Sequence, residues 1–153
     1  MTKPGDDLTS LLSSAERSAL IVAPFIRTAA LSRLLDSIPD VVETSVATRW
    51  RPADILAGAS DLGVFDLTED RSVPLLLRHD LHAKLFAADD RCLVGLANVT
   101  AAALGWRTPS NLELLTPCLE QPPALLHSRP GCLPGPSGPP RSSKTASGIL
   151  ASA

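Results

Sequence analysis

The chain has 153 residues, enough for one domain of average size, and its 44% hydrophobic and 20% charged residues are ordinary for a globular protein. Lys and Arg number 14 against 16 Asp and Glu, a formal net charge of −2, which excludes a binder held to nucleic acid by bulk positive charge and leaves room only for a small local basic site. Aromatics are 3% (Phe25, Trp50, Phe65, Phe86 and Trp106), too few for a platform that stacks single-stranded bases.

Three cysteines, Cys92, Cys118 and Cys132, show no CxxC spacing. Neither a disulfide framework nor a zinc finger is indicated, and the usage fits a reducing cytoplasm. No His/Cys/Asp cluster has ligand spacing, so no metal and no cofactor are expected. The opening residues, Met1 to Leu8, are polar and acidic, without the apolar core of a secretion signal. The longest apolar run, Ala19 to Ile26, is interrupted by Pro24 and falls far short of the roughly 20 residues a spanning helix needs. The expectation is a cytoplasmic protein with no integral membrane association.

In chain order, Leu8, Leu11, Leu12 and Ala15 share one helical face, with Asp6 and Asp7 near the positive N-terminal end. Ser18 to Ala23 is a continuous apolar run, the pattern of a strand buried on both faces. Thr28 is placed to cap a helix carrying Leu31, Leu34 and Leu35, which ends before Pro39. Val41 to Thr48 is rich in β-branched residues and predicts a second strand. Pro52 suits the first turn of a short helix closed by Gly58. Leu62 to Leu67 and Val73 to Leu77 predict further strands. So do His82 to Ala87 and Cys92 to Val94, parted by the turn residues Asp89, Asp90 and Arg91. Val99 to Leu104 predicts a short helix stopped by Gly105, and Asn111 to Leu115 a last strand. The order β-α-β-α-β followed by a run of strands argues for an α/β domain, a mixed β-sheet flanked by helices, over residues 8–116.

Composition changes at Pro117. Residues 117–153 hold 8 Pro, 6 Ser and 4 Gly, a mixture that is costly to order, so a disordered tail is expected there. Charge divides at the same point: residues 1–116 carry 11 basic and 15 acidic groups, or −4, and the tail carries +2.

The chemistry is concentrated in Leu81 to Thr100. Residues i and i+2 of a strand point to one face, so His82 and Lys84 are expected side by side. An imidazole and an ammonium so placed can address one anion: the ring nitrogen attacks or donates a proton, and the cation neutralises spreading charge. Gly95 then permits close backbone approach, and Asn98 brings an amide donor for the same anion. His-x-Lys alone is weak; the Asp89, Gly95 and Asn98 that follow strengthen it.

With these residues the sequence resembles the phospholipase D superfamily, whose pattern is His-x-Lys-x4-Asp, then about six residues, then Gly-Ser-x-Asn. His82, Lys84 and Asp89 match the first part. Gly95 and Asn98 match the second, with one residue fewer before Gly95. Asn111-Leu-Glu113 is similar to the family's downstream Asn-x-Glu segment, and Ile21 to Ile26 to its first core strand. The resemblance covers residues 8–116 and implies a single phospholipase D-like half-domain.

The resemblance further implies a phosphodiester hydrolase working through a phosphohistidine. That reaction needs two motifs facing each other, and this chain has one, so a homodimer with a composite site on the two-fold axis is implied. His82 of one protomer would attack phosphorus and His82 of the other would protonate the leaving oxygen. Lys84 and Asn98 would stabilise the phosphoryl oxygens. Glu113 is the candidate to orient the His82 ring, and Asp89, at a predicted turn, is read as bracing the motif. The substrate is nucleic acid (DNA), the favoured option, or a phospholipid.

Two features depart from the pattern. Leu96 stands where the family has Ser, removing one hydrogen bond to a charged phosphate, worth about 1.5–3 kcal/mol; that predicts a loss of about tenfold to a hundredfold in rate. The family's following helix is replaced by the Pro-rich tail. A catalytically silent phosphate-binding module and a truncated remnant are therefore the alternatives. Elsewhere, His79 reads as a solvated loop histidine, His127 as inert and Cys92 as buried filler. Arg49 and Arg51 read as surface cations beside a half-buried Trp50, with a substrate-binding role at the strand end as the alternative. Trp106 reads as a packing residue.

Overall fold

The structure, a computed structural model, describes residues 2–118. The expectations for the tail from residue 119 on, and for His127 and Cys132, lie outside the described residues.

Four helices, α1 (Pro4–Ser13), α2 (Thr28–Leu35), α3 (Pro52–Leu56) and α4 (Gly63–Asp70), and six strands, β1 (Ser18–Val22), β2 (Glu43–Thr48), β3 (Leu75–Leu77), β4 (Leu85–Ala88), β5 (Arg91–Gly95) and β6 (Leu115–Cys118), make up the described residues. One mixed sheet runs in the order β3-β2-β1-β4-β5-β6. Strands β1, β2 and β3 are parallel, joined by helical crossovers, and β4 joins β1 antiparallel, with Ile21 opposite Phe86. Strands β5 and β6 continue antiparallel from β4. It follows that the carboxyl ends of β1, β2, β3 and β5 and the amino ends of β4 and β6 share one edge of the sheet. Strand order reverses between β1 and β4, and such reversal points are where open α/β sheets place ligands.

The alternation of the strands divides the interior in two. Ala19, Ile21, Val46, Phe86 and Ala88 face the helices and pack with Leu8 and Leu12 of α1, Leu31 and Leu34 of α2 and Val64 of α4. Leu20, Val22, Ala47, Leu85, Ala87 and Cys92 form a smaller cluster on the other face, to which no helix contributes among the described residues. Burial, with the neighbouring Cys118, pushes the Cys92 thiol up to about 11.

Four expectations are corrected. Residues 62–67 are not a strand: Gly63–Asp70 is helix α4, which buries Val64 and Thr68 at helical spacing. A short apolar run reads equally as strand or buried helix until its neighbours decide. Thr28 does not cap α2; it is the first helical residue, and its N–H donates to Asp61 Oδ2 at 2.8 Å. A carboxylate from a distant loop, itself 3.2 Å from Arg27 Nη1, thus sits at the positive end of the helix. Residues 99–104 form turns with a single α-type bond, Leu104 N–H to Thr100 O at 2.9 Å, and not a regular helix. The last strand starts only at Leu115 and runs to Cys118, two residues past the composition change. Pro117 is tolerated there because β6 has no further partner strand among the described residues, so its missing N–H costs no ladder bond.

Candidate active site

His82 and Lys84 lie immediately before β4, in irregular chain, and not on the strand face expected for them. The ladder between β1 and β4 stops at Val22 opposite Leu85. Beyond it Ala23 donates instead to Ala47 O of β2 at 3.1 Å, and Pro24 has no N–H to offer. Freed from pairing, the chain from Arg78 to Lys84 loops over the carboxyl end of the sheet.

All four candidate catalytic residues are brought to that edge. His82 and Lys84 precede β4, Asn98 follows β5, and Glu113 precedes β6. His82 is exposed; Lys84, Asn98 and Glu113 are half-buried. Lys84 O accepts from Gly95 N–H at 3.3 Å, which extends the β4–β5 ladder by one residue, and its ammonium enters no ion pair among the described residues. Asn98 Oδ1 accepts from Phe25 N–H at 3.3 Å. With the oxygen so occupied, the amide NH2 is the group left to donate. The segment after β1 is held beside Asn98 by further bonds: Val99 N–H to Phe25 O at 3.1 Å and Arg27 N–H to Val99 O at 2.9 Å. Glu113 Oε1 accepts from Asn111 Nδ2 at 3.1 Å, and no hydrogen bond or ion pair joins it to His82 among the described residues.

The direct neighbour of His82 is a residue that composition disguised. Arg49 is 4% exposed, not a surface cation. Its Nε donates to Asp54 Oδ2 at 3.0 Å, Nη1 donates to Leu81 O at 3.2 Å, and the same Nη1 stands 3.4 Å from His82 Nε2. The guanidinium lies 5.0 Å over the ring of Phe25. Phe25 therefore links the two halves of the site: its backbone holds Asn98 and its ring supports Arg49. Arg51 reaches His79 O with Nε and Nη2, at 3.1 and 2.8 Å, and pins the far side of the same loop. In sequence the one sign of this was an arginine at the carboxyl end of a parallel strand.

The remaining motif residues serve elsewhere. Asp89 lies at the opposite edge of the sheet, in the β4–β5 turn with φ 54°, where its carboxylate accepts the N–H groups of Glu16, Arg17 and Ser18 at 2.9, 2.9 and 3.0 Å. Those bonds hold the acid below its ordinary pKa. Gly95 does leave space for a close approach, but the chain itself fills it: a Cβ there would lie 1.9 Å from Leu114 O. Leu96 is 61% exposed, its N–H donating to Leu114 O at 3.0 Å. Among the described residues no group of three or more His, Cys, Asp or Glu is placed to hold a metal ion, and no helix is long and apolar enough to cross a membrane.

No protein-family model and no curated protein matches the chain. Solved structures do. Phosphatidylserine synthase of Haemophilus influenzae matches 74% of this chain at 18% identity and TM-score 0.58, and this chain spans 30% of that protein. NucT from Helicobacter pylori matches 72% at 18% identity and TM-score 0.56, over 73% of its own length. Nuc from Salmonella typhimurium, a phospholipase D family member, matches 64% at 19% identity and TM-score 0.50, over 66% of its length. At these identities the likeness is one of fold: the described domain shares with these proteins an α/β fold built on a mixed six-stranded sheet.

Proposed function

We propose that this protein is a phosphodiester hydrolase of phospholipase D type. The observation that carries the reading is convergence: one sheet edge collects His82, a Lys84 ammonium without an ion pair among the described residues and the Asn98 amide, within a fold shared with a phospholipase D family member. His82 attacks phosphorus, forming a P–N bond as the P–O bond to the leaving group breaks. His82 of a second protomer, entering as the imidazolium, gives its proton to the leaving oxygen. That ring then takes a proton from water, whose oxygen attacks phosphorus and breaks the P–N bond, releasing a phosphomonoester. Lys84 and Asn98 of both protomers hold the phosphoryl oxygens while charge spreads over them. These 153 residues hold one motif, and the reading takes the second from another copy of the chain, in a homodimer with a composite site. Nucleic acid is the favoured substrate and a phospholipid head group the other. The net charge of −4 over residues 1–116 means that either phosphodiester is gripped by the local cations alone.

The test is hydrolysis of a chromogenic phosphodiester in excess EDTA, comparing the wild-type chain with His82→Ala. Activity that survives chelation and vanishes in the variant is expected; equal activity in both would sink the reading. A second reading, a phosphate-binding module without turnover, is favoured by the exposed Leu96 in the hydroxyl position and by the Leu114 carbonyl that fills the space at Gly95. It predicts that both folded proteins are inactive, that phosphate still binds, and that Leu96→Ser creates activity.

A further inference from the structure

Burying an arginine is costly, and one carboxylate satisfies only part of its five donors. Arg49 spends Nε on Asp54 and one Nη1 hydrogen on Leu81 O, and aims the second Nη1 hydrogen at His82 Nε2. Nη2 has no hydrogen bond among the described residues. A guanidinium never accepts and keeps its charge at any physiological pH, so the nitrogen facing it must present a lone pair. The neutral ring then carries its proton on Nδ1. Were the proton on Nε2 instead, N–H would face N–H.

We propose that Arg49 is a further anion-binding and positioning residue of this site: at rest it holds His82 with Nε2 unprotonated, and it turns the same N–H onto a phosphoryl oxygen when a phosphodiester enters. The proposal rests on the phosphodiester reading above and deepens it. Unprotonated Nε2 is the form that can attack phosphorus, but its lone pair is occupied while Arg49 points at it. At 3.4 Å that bond is long and weak, whereas a phosphoryl oxygen is an anionic acceptor and takes charge-assisted bonds. The incoming anion therefore draws the Arg49 of each protomer off its ring, freeing Nε2 of one His82 to attack and Nε2 of the other to carry the proton that passes to the leaving oxygen. Nη2 adds the second prong of a bidentate grip, which Lys84, a point charge, cannot supply. Asp54, bonded to Nε, and the Phe25 ring anchor the side chain while its Nη1 end turns.

The experiment is nitrogen-15 NMR of the full chain at neutral pH, with the His82 ring signals identified by their loss in His82→Ala, followed by titration with inorganic phosphate. The wild type is expected to show the Nδ1–H tautomer and a shift of Nε2 as phosphate binds. Arg49→Gln is expected to lose the tautomer preference and to weaken phosphate binding at least about tenfold, with Arg49→Lys between the two. Arg51→Gln is the control, since Arg51 holds the same loop through His79 O without touching His82; it should leave the His82 tautomer unchanged. The proposal is overturned by an Nε2–H tautomer in the wild type, by wild-type behaviour in Arg49→Gln, or by Arg51→Gln reproducing the Arg49→Gln result. Should circular dichroism show Arg49→Gln unfolded, the wild-type tautomer and Arg49→Lys decide. None of these readouts needs turnover. A chain that passes them but hydrolyses nothing retains the Arg49 assignment and refutes the hydrolase reading.

Discussion

The two edges of the sheet are built on opposite principles, although one motif supplies both. His82 and Lys84 stand at one end of β4 and Asp89 at the other, with Lys84 about 17 Å from Asp89 along an extended chain at ~3.3 Å per residue. At the Asp89 edge a carboxylate takes three backbone N–H groups and ties the α1–β1 connection to the β4–β5 turn. That edge is saturated. At the His82 edge an ammonium, an amide NH2 and part of a guanidinium lack acceptors among the described residues, and between its two backbone-bonded ends the loop that carries the histidine is held by the side chains of Arg49 and Arg51. A saturated edge gives rigidity; an edge of unspent donors awaits an anion. The spacing His-x-Lys-x4-Asp thus measures the length of a strand, with function before it and support after it.

The contrast can be broken in four ways. His82→Ala carries the largest effect: hydrolysis should fall at least about a thousandfold while the melting temperature stays put, because the side chain is exposed. A matching loss of stability, read by calorimetry, would mean that the functional edge also holds the fold. Gly95→Ala should cost about 1–3 kcal/mol in a denaturant titration, since the new Cβ meets a backbone carbonyl that cannot swing aside. An unchanged midpoint would show that β5 and β6 do not approach as closely as described.

Asp89→Asn should lower the melting temperature at neutral pH and leave the substrate KM unchanged. The Asp89 pKa is lower folded than unfolded, so its contribution is fully present above the ordinary carboxylate value of about 3.9 and fades as pH falls through the folded value. The gap between wild type and variant should therefore close in acid. A gap constant across pH would remove the charge from the explanation. The smallest effect is expected for Leu96→Ser: if the chain is a hydrolase, restoring a donor for a charged oxygen should raise the rate about tenfold to a hundredfold without moving the melting curve. No change would place residue 96 outside reach of the phosphate.

Much of the fold was legible because its signals are local. The run Ser18–Val22 and the β-branched Glu43–Thr48 are strands, Leu31 and Leu34 mark the buried face of α2, and Pro52 opens α3, each within a residue or two of expectation. Burial on both faces selects apolar runs, and a helix selects a period, whatever surrounds them. The identity of the motif residues was likewise readable, since chemistry restricts residue type. Their arrangement was not. Whether Gly63–Asp70 is helix or strand depended on the core that Val64 meets, and the cap of α2 came from Asp61, 33 residues away. Arg49 could be seen as buried and facing His82 only once the loop from Arg78 to Lys84 lay over the end of β2, and the space at Gly95 could be assigned to Leu114 only once β6 was in register. Type and period are written residue by residue; what occupies a space or answers a charge is decided by contacts between distant segments, and those exist only when the chain has folded.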